Sequence, residues 1–438
     1  MTGEAIIAEL KDLQKIEGAD RIVQGTIFGE TVIVSKDHKE GEVGILFDCE
    51  TQLSHEFCHE NNMYRHSELN KDKDQKGYID DNRRVRPVRM KGVKCSGLWM
   101  PLSCLGYASG LNDKPVKVGQ QLTEWNVHEI CKKYISPRNM PGAPGSRDRS
   151  GKAKENLVPT FKEHIDTDQF MRNLQHVKPG CTLIVTEKLH GTSCRVANLP
   201  VIQKQPWYKK LFGIEVAPKY GHIVGSRRVT KQAGASEVEA RESYYESDVW
   251  SASAEVFRDK MLKGETVYYE IVGFTSDGTR IMQSQGNDKL KKFMDKKEYV
   301  EFIEKYGKAT NFTYGCEPGE HKVFVYRITT TNVDGDSTDY TWDQVKMRCE
   351  QMGVEHVPEL AIFNRNADPD LELVTQVITG HTESTSIGFP QQLREGVVVR
   401  IDGPSMTPKF LKNKSYLFKV LEGIIKDSDT VDLEESQG

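Results

Sequence analysis

The stretch Glu187-Lys188-Leu189-His190-Gly191-Thr192-Ser193 follows an apolar run over 182–186 that reads as a β-strand. Such a strand delivers the Lys188 amine to a loop mouth. Gly191 permits a tight backbone path there, and Thr192 and Ser193 offer hydroxyl and amide donors. Alone, the heptapeptide fits a solvated lysine at a turn equally well. It gains weight from a second stretch about 200 residues downstream, Glu395-Gly396-Val397-Val398-Val399-Arg400, followed by Lys412-Asn413-Lys414. Lys412 lies 17 residues after Glu395, and on a strand Lys412 and Lys414 share a face.

Three further stretches fall between these. Val224-Gly225-Ser226-Arg227-Arg228 offers arginines, whose planar forks suit phosphate. Tyr268-Tyr269-Glu270-Ile271-Val272-Gly273 places a glutamate inside an apolar strand, which costs desolvation unless the carboxylate is paired. Phe324-Val325-Tyr326-Arg327-Ile328 puts two aromatics on one strand face, and the sequence leaves open which of them meets a ligand.

The order of these stretches resembles that of the covalent nucleotidyltransferases, the ATP-dependent nucleic-acid ligases and mRNA capping enzymes. The form KLHGTS is most similar to RNA ligases. The resemblance implies that Lys188 attacks the α-phosphate of ATP and carries AMP through a phosphoamide bond. A lysine amine is mostly protonated at neutral pH, so this role needs an environment that frees its lone pair. The resemblance further implies that Glu187 lies near the adenine, facing away from Lys188 if the strand persists. Arg195 and Arg227 approach ribose or phosphate. Glu270 meets a ribose hydroxyl or the metal, and Phe324 or Tyr326 stacks on adenine. Glu395 binds the divalent cation, Mg²⁺ or Mn²⁺, with Glu270 as a second carboxylate. Lys412 and Lys414 clamp the α-phosphate, and Arg400 reaches phosphate. Tyr269 stands where the family commonly has glycine. Phe418 completes a K-x-K-x-x-x-F pattern often seen in RNA ligases.

Composition bounds the reading. The chain has 438 residues, enough for two or three domains, with 28% charged residues and a net charge of −4. That balance argues against indiscriminate coating of nucleic acid but leaves room for local basic patches. Candidates are Arg83, Arg84, Arg86, Arg89, Lys91 and Lys94; then Lys204, Lys209 and Lys210; then the lysines of 409–419. No run of 18 apolar residues occurs, and the amino terminus lacks the pattern of a secretory signal. A cytoplasmic protein with reduced cysteines and no membrane contact is expected. His55, Cys58, His59 and His66 match no zinc spacing, and Asp334-Gly335-Asp336 reads as a turn.

Short strand-like runs dominate 4–110, and the proline-, glycine- and charge-rich stretch 136–156 reads as a linker. The segments 248–261 and 289–306 have helical spacing, and 416–421 reads as a further strand. The expected class is α+β: a β-rich domain over 1–135, the linker, and a mixed nucleotidyltransferase domain over 157–438. The front segment, with Ile16 to Ile22, Gly41 to Gly44 and Lys91 to Leu98, resembles the OB-like module of one RNA-ligase branch. That resemblance implies a nucleic-acid-binding role for the front half, and adenylation by the rear half alone. Only 24 residues follow Lys414, which favours an RNA ligase over a DNA ligase or capping guanylyltransferase. The expected reaction joins a 3′-hydroxyl to a 5′-phosphate of RNA or an RNA-containing nicked duplex, with no obligate protein partner. An RNA-binding homologue without activity would have lost core motifs, and all are recognisable here.

Overall fold

A computed structural model describes residues 5–108, 115–135, 158–201, 219–227, 230–233, 248–364, 370–403 and 407–427. The linker read over 136–156, the basic residues Lys204, Lys209 and Lys210, and Arg228 lie outside them. The architecture is mixed α/β, with a β-rich front and a rear half built on two sheets.

In the front half, strand Ala5–Glu9 pairs with Val43–Asp48, which pairs with Gly97–Pro101. A second sheet runs Lys11–Lys15, Ile22–Ile27, Glu30–Ser35. Period-two alternation divides the first strand. Ile6 and Ala8 pack with Val32, Val34 and Trp99 between the two sheets, and Ala5 and Ile7 pack on the other side with Phe47 and Phe57. Among the described residues these ladders do not close into one ring. The segment from Asn70 to Asp81 is loop, as its polarity predicts.

The rear half holds a five-stranded sheet in the order Asp168–Gln169, Lys409–Lys414, Gly396–Asp402, Thr182–Lys188, Glu359–Asn364. A larger sheet contains Lys219–Ser226, Thr192–Val201, Glu265–Gly273 and His321–Thr331 in that order. Helix Leu371–Thr382 covers the outer face of the five-stranded sheet through Val374 and Ile378, against Leu183, Val185, Val397, Val399 and Leu411. The opposite face of that sheet turns towards the larger sheet.

The helical spacing over 248–261 resolves into a helix, Val249–Ala254, continued by a 3₁₀ segment, Glu255–Lys260. That over 289–306 becomes a 3₁₀ turn and a helix, Lys296–Tyr306, started by a capping box between Asp295 and Glu298. The expected strand at 416–421 is instead part of a helix, Tyr416–Asp427. The Ser415 hydroxyl accepts from the Phe418 amide at 3.2 Å, a cap that ends the preceding strand. Val420 and Leu421 then pack beside Leu290, Met294 and Phe302.

The two halves meet through charge. Asp48 of the front pairs with Arg172 at 3.1 Å, and Glu30 pairs with Lys419 at 2.7 Å. The basic residues of 83–94 are largely spent on this interface or on local partners. Arg84 donates to the Gly423 carbonyl at 2.8 Å, Arg89 lies 3.8 Å from Asp295, and Lys94 lies 3.1 Å from Glu298. Arg86 pairs with Asp80, and Lys91 is exposed. The patch read as a nucleic-acid surface is therefore mainly a docking surface, because its partners come from a sequence-distant helix and loop.

Candidate active site

Strand alternation builds one wall of a cleft. Lys188 pairs across the ladder with Gly396, and Gly396 with Lys414. Thr186 pairs with Val398, and Val398 with Lys412. Ile184 pairs with Arg400, and Arg400 with Phe410. Thr186, Lys188, Val398, Arg400, Phe410, Lys412 and Lys414 consequently line the cleft, as their odd-numbered neighbours Val185, Val397, Val399 and Leu411 enter the core behind. Gly396 is required at the crossing point, since a Cβ there would lie 2.1 Å from the Asn413 carbonyl oxygen. Gly191 plays the same part opposite, where a Cβ would lie 2.3 Å from the Ile271 carbonyl oxygen.

The Lys188 amine contacts Glu395 Oε1 at 2.8 Å. Lys414 approaches the same oxygen at 3.5 Å, and His190 Nδ1 lies 3.6 Å from Oε2. Burial would raise the Glu395 carboxyl, but Lys188, His190 and Lys414 overcome it and hold it at about 2. Glu395 is 1% exposed and sits behind Lys188 rather than open to the cleft. The His190 ring is wedged edge-on against Phe312 and Phe418, and its amide donates to the Tyr314 hydroxyl at 2.7 Å. Lys414 also bonds both Glu422 oxygens, at 2.9 and 3.0 Å. Burial pushes the Lys412 amine below its usual value, partly offset by Glu50.

The larger sheet supplies the other wall: Ser193, Arg195, Tyr268, Glu270 and Tyr326. The Ser193 hydroxyl donates to Glu270 Oε2 at 2.9 Å. The register of Glu265–Gly273 against His321–Thr331 shifts between Tyr268 and Tyr269, so Tyr326 falls opposite no residue and enters the cleft. Phe324 instead belongs to the core cluster with Val345 and Cys349. Arg195 is buried, donating to the carbonyls of Ser226 and Phe161 at 3.2 and 2.9 Å. Arg227 reaches the cleft rim and pairs with Asp166. Arg400 is held by Asp402 at 2.6 Å and by the Tyr340 carbonyl.

The strand persists through Lys188, so the Glu187 carboxylate projects from the opposite face. It accepts from the Ser386 hydroxyl and, at 2.9 Å, from the Ile387 amide, and lies 3.6 Å from Arg394. Its carboxylate is structural in these contacts and does not join the lysine cluster.

Several residues of the site were not singled out from the sequence. His190 stands inside the lysine motif, where its chemistry was the available signal. His164 packs against Tyr268, Tyr326 and Phe410 in the cleft, and burial, reinforced by Arg327, lowers it to about 3, keeping the ring neutral. Glu50 of the front half lies 3.6 Å from Lys414 and 4.0 Å from Lys412. No sequence signal connects Glu50 with lysines more than 350 residues away.

A sequence model of the RNA ligase family matches residues 182–421, more than half of the chain. The chain belongs to the RNA ligase family. The match begins on the strand that carries Lys188 and ends within the helix after Lys414. The fold of this RNA ligase family member is also similar to solved structures of Naegleria gruberi RNA ligase. A lysine-to-alanine mutant with ATP and Mn is 18% identical, with a TM-score of 0.54 over 96% of this chain and 98% of that one. A second such mutant, also with ATP and Mn, is 17% identical, with a TM-score of 0.56 over 95% and 98%. The form with pyrophosphate is 17% identical, with a TM-score of 0.54 over 94% and 97%. The shared fold thus extends through the front half. No curated protein matches the chain. Among the described residues no helix is long and apolar enough to cross a membrane.

Proposed function

We propose that the protein is an ATP-dependent RNA ligase that seals 3′-hydroxyl and 5′-phosphate ends, with nicked duplexes as its substrate. The observation that carries this reading is the convergence of Lys188, Lys412 and Lys414 on one wall of a cleft whose other wall presents Glu270 and Tyr326. That arrangement suits a nucleoside triphosphate. Tyr326 offers a face for the base, Glu270 a carboxylate for ribose or cation, and the lysines a cationic end for the phosphates.

In the first step the Lys188 nitrogen, as the free amine, forms a bond to the α-phosphorus. The bond from that phosphorus to the bridging oxygen breaks, and pyrophosphate leaves with the electron pair. Lys412 and Lys414 offset the charge that develops on the leaving side. AMP then passes from Lys188 to the 5′-phosphate of the nucleic acid. Finally the 3′-hydroxyl oxygen attacks that phosphorus and AMP departs. Arg195, Arg227 and Arg400 are the arginines placed for ribose or phosphate contacts.

The donor set fits a hard divalent cation, Mg²⁺ or Mn²⁺. Both Glu395 oxygens are buried without a hydrogen-bond donor, and Glu270 opens into the same cleft. Such a cation, held by Glu395 and Glu270, would neutralise phosphate charge. The Naegleria relative's structures with ATP, Mn and pyrophosphate support the same ligand classes.

We read 1–135 as an OB-like nucleic-acid-binding domain, 136–156 as its linker, and 157–438 as the nucleotidyltransferase domain. The two packed front sheets support the first assignment. The test incubates the protein with α-labelled or γ-labelled ATP and Mg²⁺ or Mn²⁺, then with 5′-phosphorylated nicks whose flanks are RNA or DNA. Label from the α-phosphate alone, lost in Lys188→Ala, and closure of RNA-containing nicks are expected. AMP on another residue would refute the assignment of Lys188.

A further inference from the structure

The cationic end of the cleft is electrically balanced before any phosphate arrives. Lys188, Lys412 and Lys414 face Glu395, Glu422 and Glu50. A triphosphate can gain from three lysines only where their existing carboxylates give way. The three carboxylates are not equally held. Glu395 is fully enclosed, with Lys188 at 2.8 Å and His190 at 3.6 Å. Glu422 bonds Lys414 from the helix that follows directly in sequence.

Glu50 differs from both. It comes from the other half of the chain, on the short turn between strands Val43–Asp48 and Thr51–Leu53. It stands 3.6 and 4.0 Å from the two lysine amines, beyond the length of a direct N–H···O bond. Its neighbour Asp48 fixes the turn, accepting from the Glu50 amide at 2.8 Å and pairing with Arg172 at 3.1 Å. The turn is thus anchored beside the Glu50 carboxylate, which rests on the lysines by charge. Phosphate oxygens that bond those amines directly replace it with shorter contacts.

We infer that Glu50 is an affinity-setting residue of the phosphate end, a carboxylate from the front half that competes with the phosphates of the nucleotide for Lys412 and Lys414. The inference rests on the proposed ATP site and adds a positioning residue outside the matched region of 182–421. It makes the front half a part of that site rather than only a nucleic-acid module. Removing the charge leaves two buried lysines in want of an anion. The chain without ligand is then less stable, and phosphate binding becomes tighter. A purely structural Glu50 would lower stability without improving binding.

The experiment compares the full chain with its Glu50→Gln and Glu50→Asp variants. Inorganic pyrophosphate is titrated against each with thermal unfolding as readout, and the ATP dependence of the adenylation rate is measured in parallel. Glu50→Gln is expected to melt lower without ligand and to bind pyrophosphate about fivefold to tenfold more tightly, with a matching fall in the ATP concentration for half-maximal rate. Glu50→Asp keeps the charge but draws it back by one methylene, and should fall between the two. It keeps the test decisive if Glu50→Gln does not fold. Pyrophosphate binding unchanged or weakened in the foldable variants would overturn the inference. Pyrophosphate binding needs no lysine–AMP adduct. Tighter pyrophosphate binding without AMP transfer would sink the ligase reading alone, whereas normal adenylation with unchanged affinities would sink this inference alone.

Discussion

Replacing Glu395 by glutamine tests the charge architecture most directly. The Glu395 carboxyl titrates at about 2 in the folded chain against 4.5 for the unperturbed group. That separation corresponds to about 3 kcal/mol of stability at neutral pH. A folded pKa below the unfolded one gives stability that is fully present above the unfolded value. It is lost as pH falls through the folded value. The contribution is therefore intact at pH 7, falls to about 1 kcal/mol at pH 3, and vanishes below pH 2. Glutamine keeps the shape but not the charge, leaving Lys188 and Lys414 short of a counter-ion. Chemical denaturation of wild type and Glu395→Gln across pH 3 to 7, followed by circular dichroism, should show a gap of about 3 kcal/mol at pH 7 that narrows by about 2 kcal/mol at pH 3. Two parallel curves would refute the view that Lys188, His190 and Lys414 depress this carboxyl.

Lys412→Ala and Lys414→Ala should each slow adenylation by about a hundredfold or more, because fixed charge beside the leaving pyrophosphate is lost; single-turnover labelling with α-labelled ATP checks this. Tyr326→Ala should weaken ATP binding with little loss of stability, whereas Phe324→Ala should cost about 3–5 kcal/mol in unfolding experiments, as expected for an emptied core site. A chain beginning near residue 158 should melt lower than the full chain and adenylate poorly, since Arg172, Lys412, Lys414 and Lys419 lose Asp48, Glu50 and Glu30; undiminished adenylation would show that the front half leaves the ATP site unaffected.

Much of the rear half was legible from local pattern. The alternation in 182–188, 396–402 and 409–414 assigns each side chain to a face before any pairing is known. It puts Lys188, Arg400, Lys412 and Lys414 on one side, and it turns Glu187 away. The expected strand at 416–421 failed because its β-prone residues also satisfy a helical period. The Ser415 cap and the contacts of Val420 and Leu421 with a distant core decide for the helix. Phe324 and Tyr326 share a face by count, and only the register shift opposite Tyr268 and Tyr269 separates their roles.

The sequence by itself determined the order of the chemical groups, the strand faces they occupy and the mixed class of the rear half, because these depend on neighbours within a few residues. The tertiary structure decided which charges meet. It spent Arg84, Arg89 and Lys94 on the interface between the halves, wedged neutral His164 among the cleft aromatics, and brought Glu50 to Lys412 and Lys414. Coulomb attraction depends on distance in space and on burial, and neither is written in the local spacing of residues.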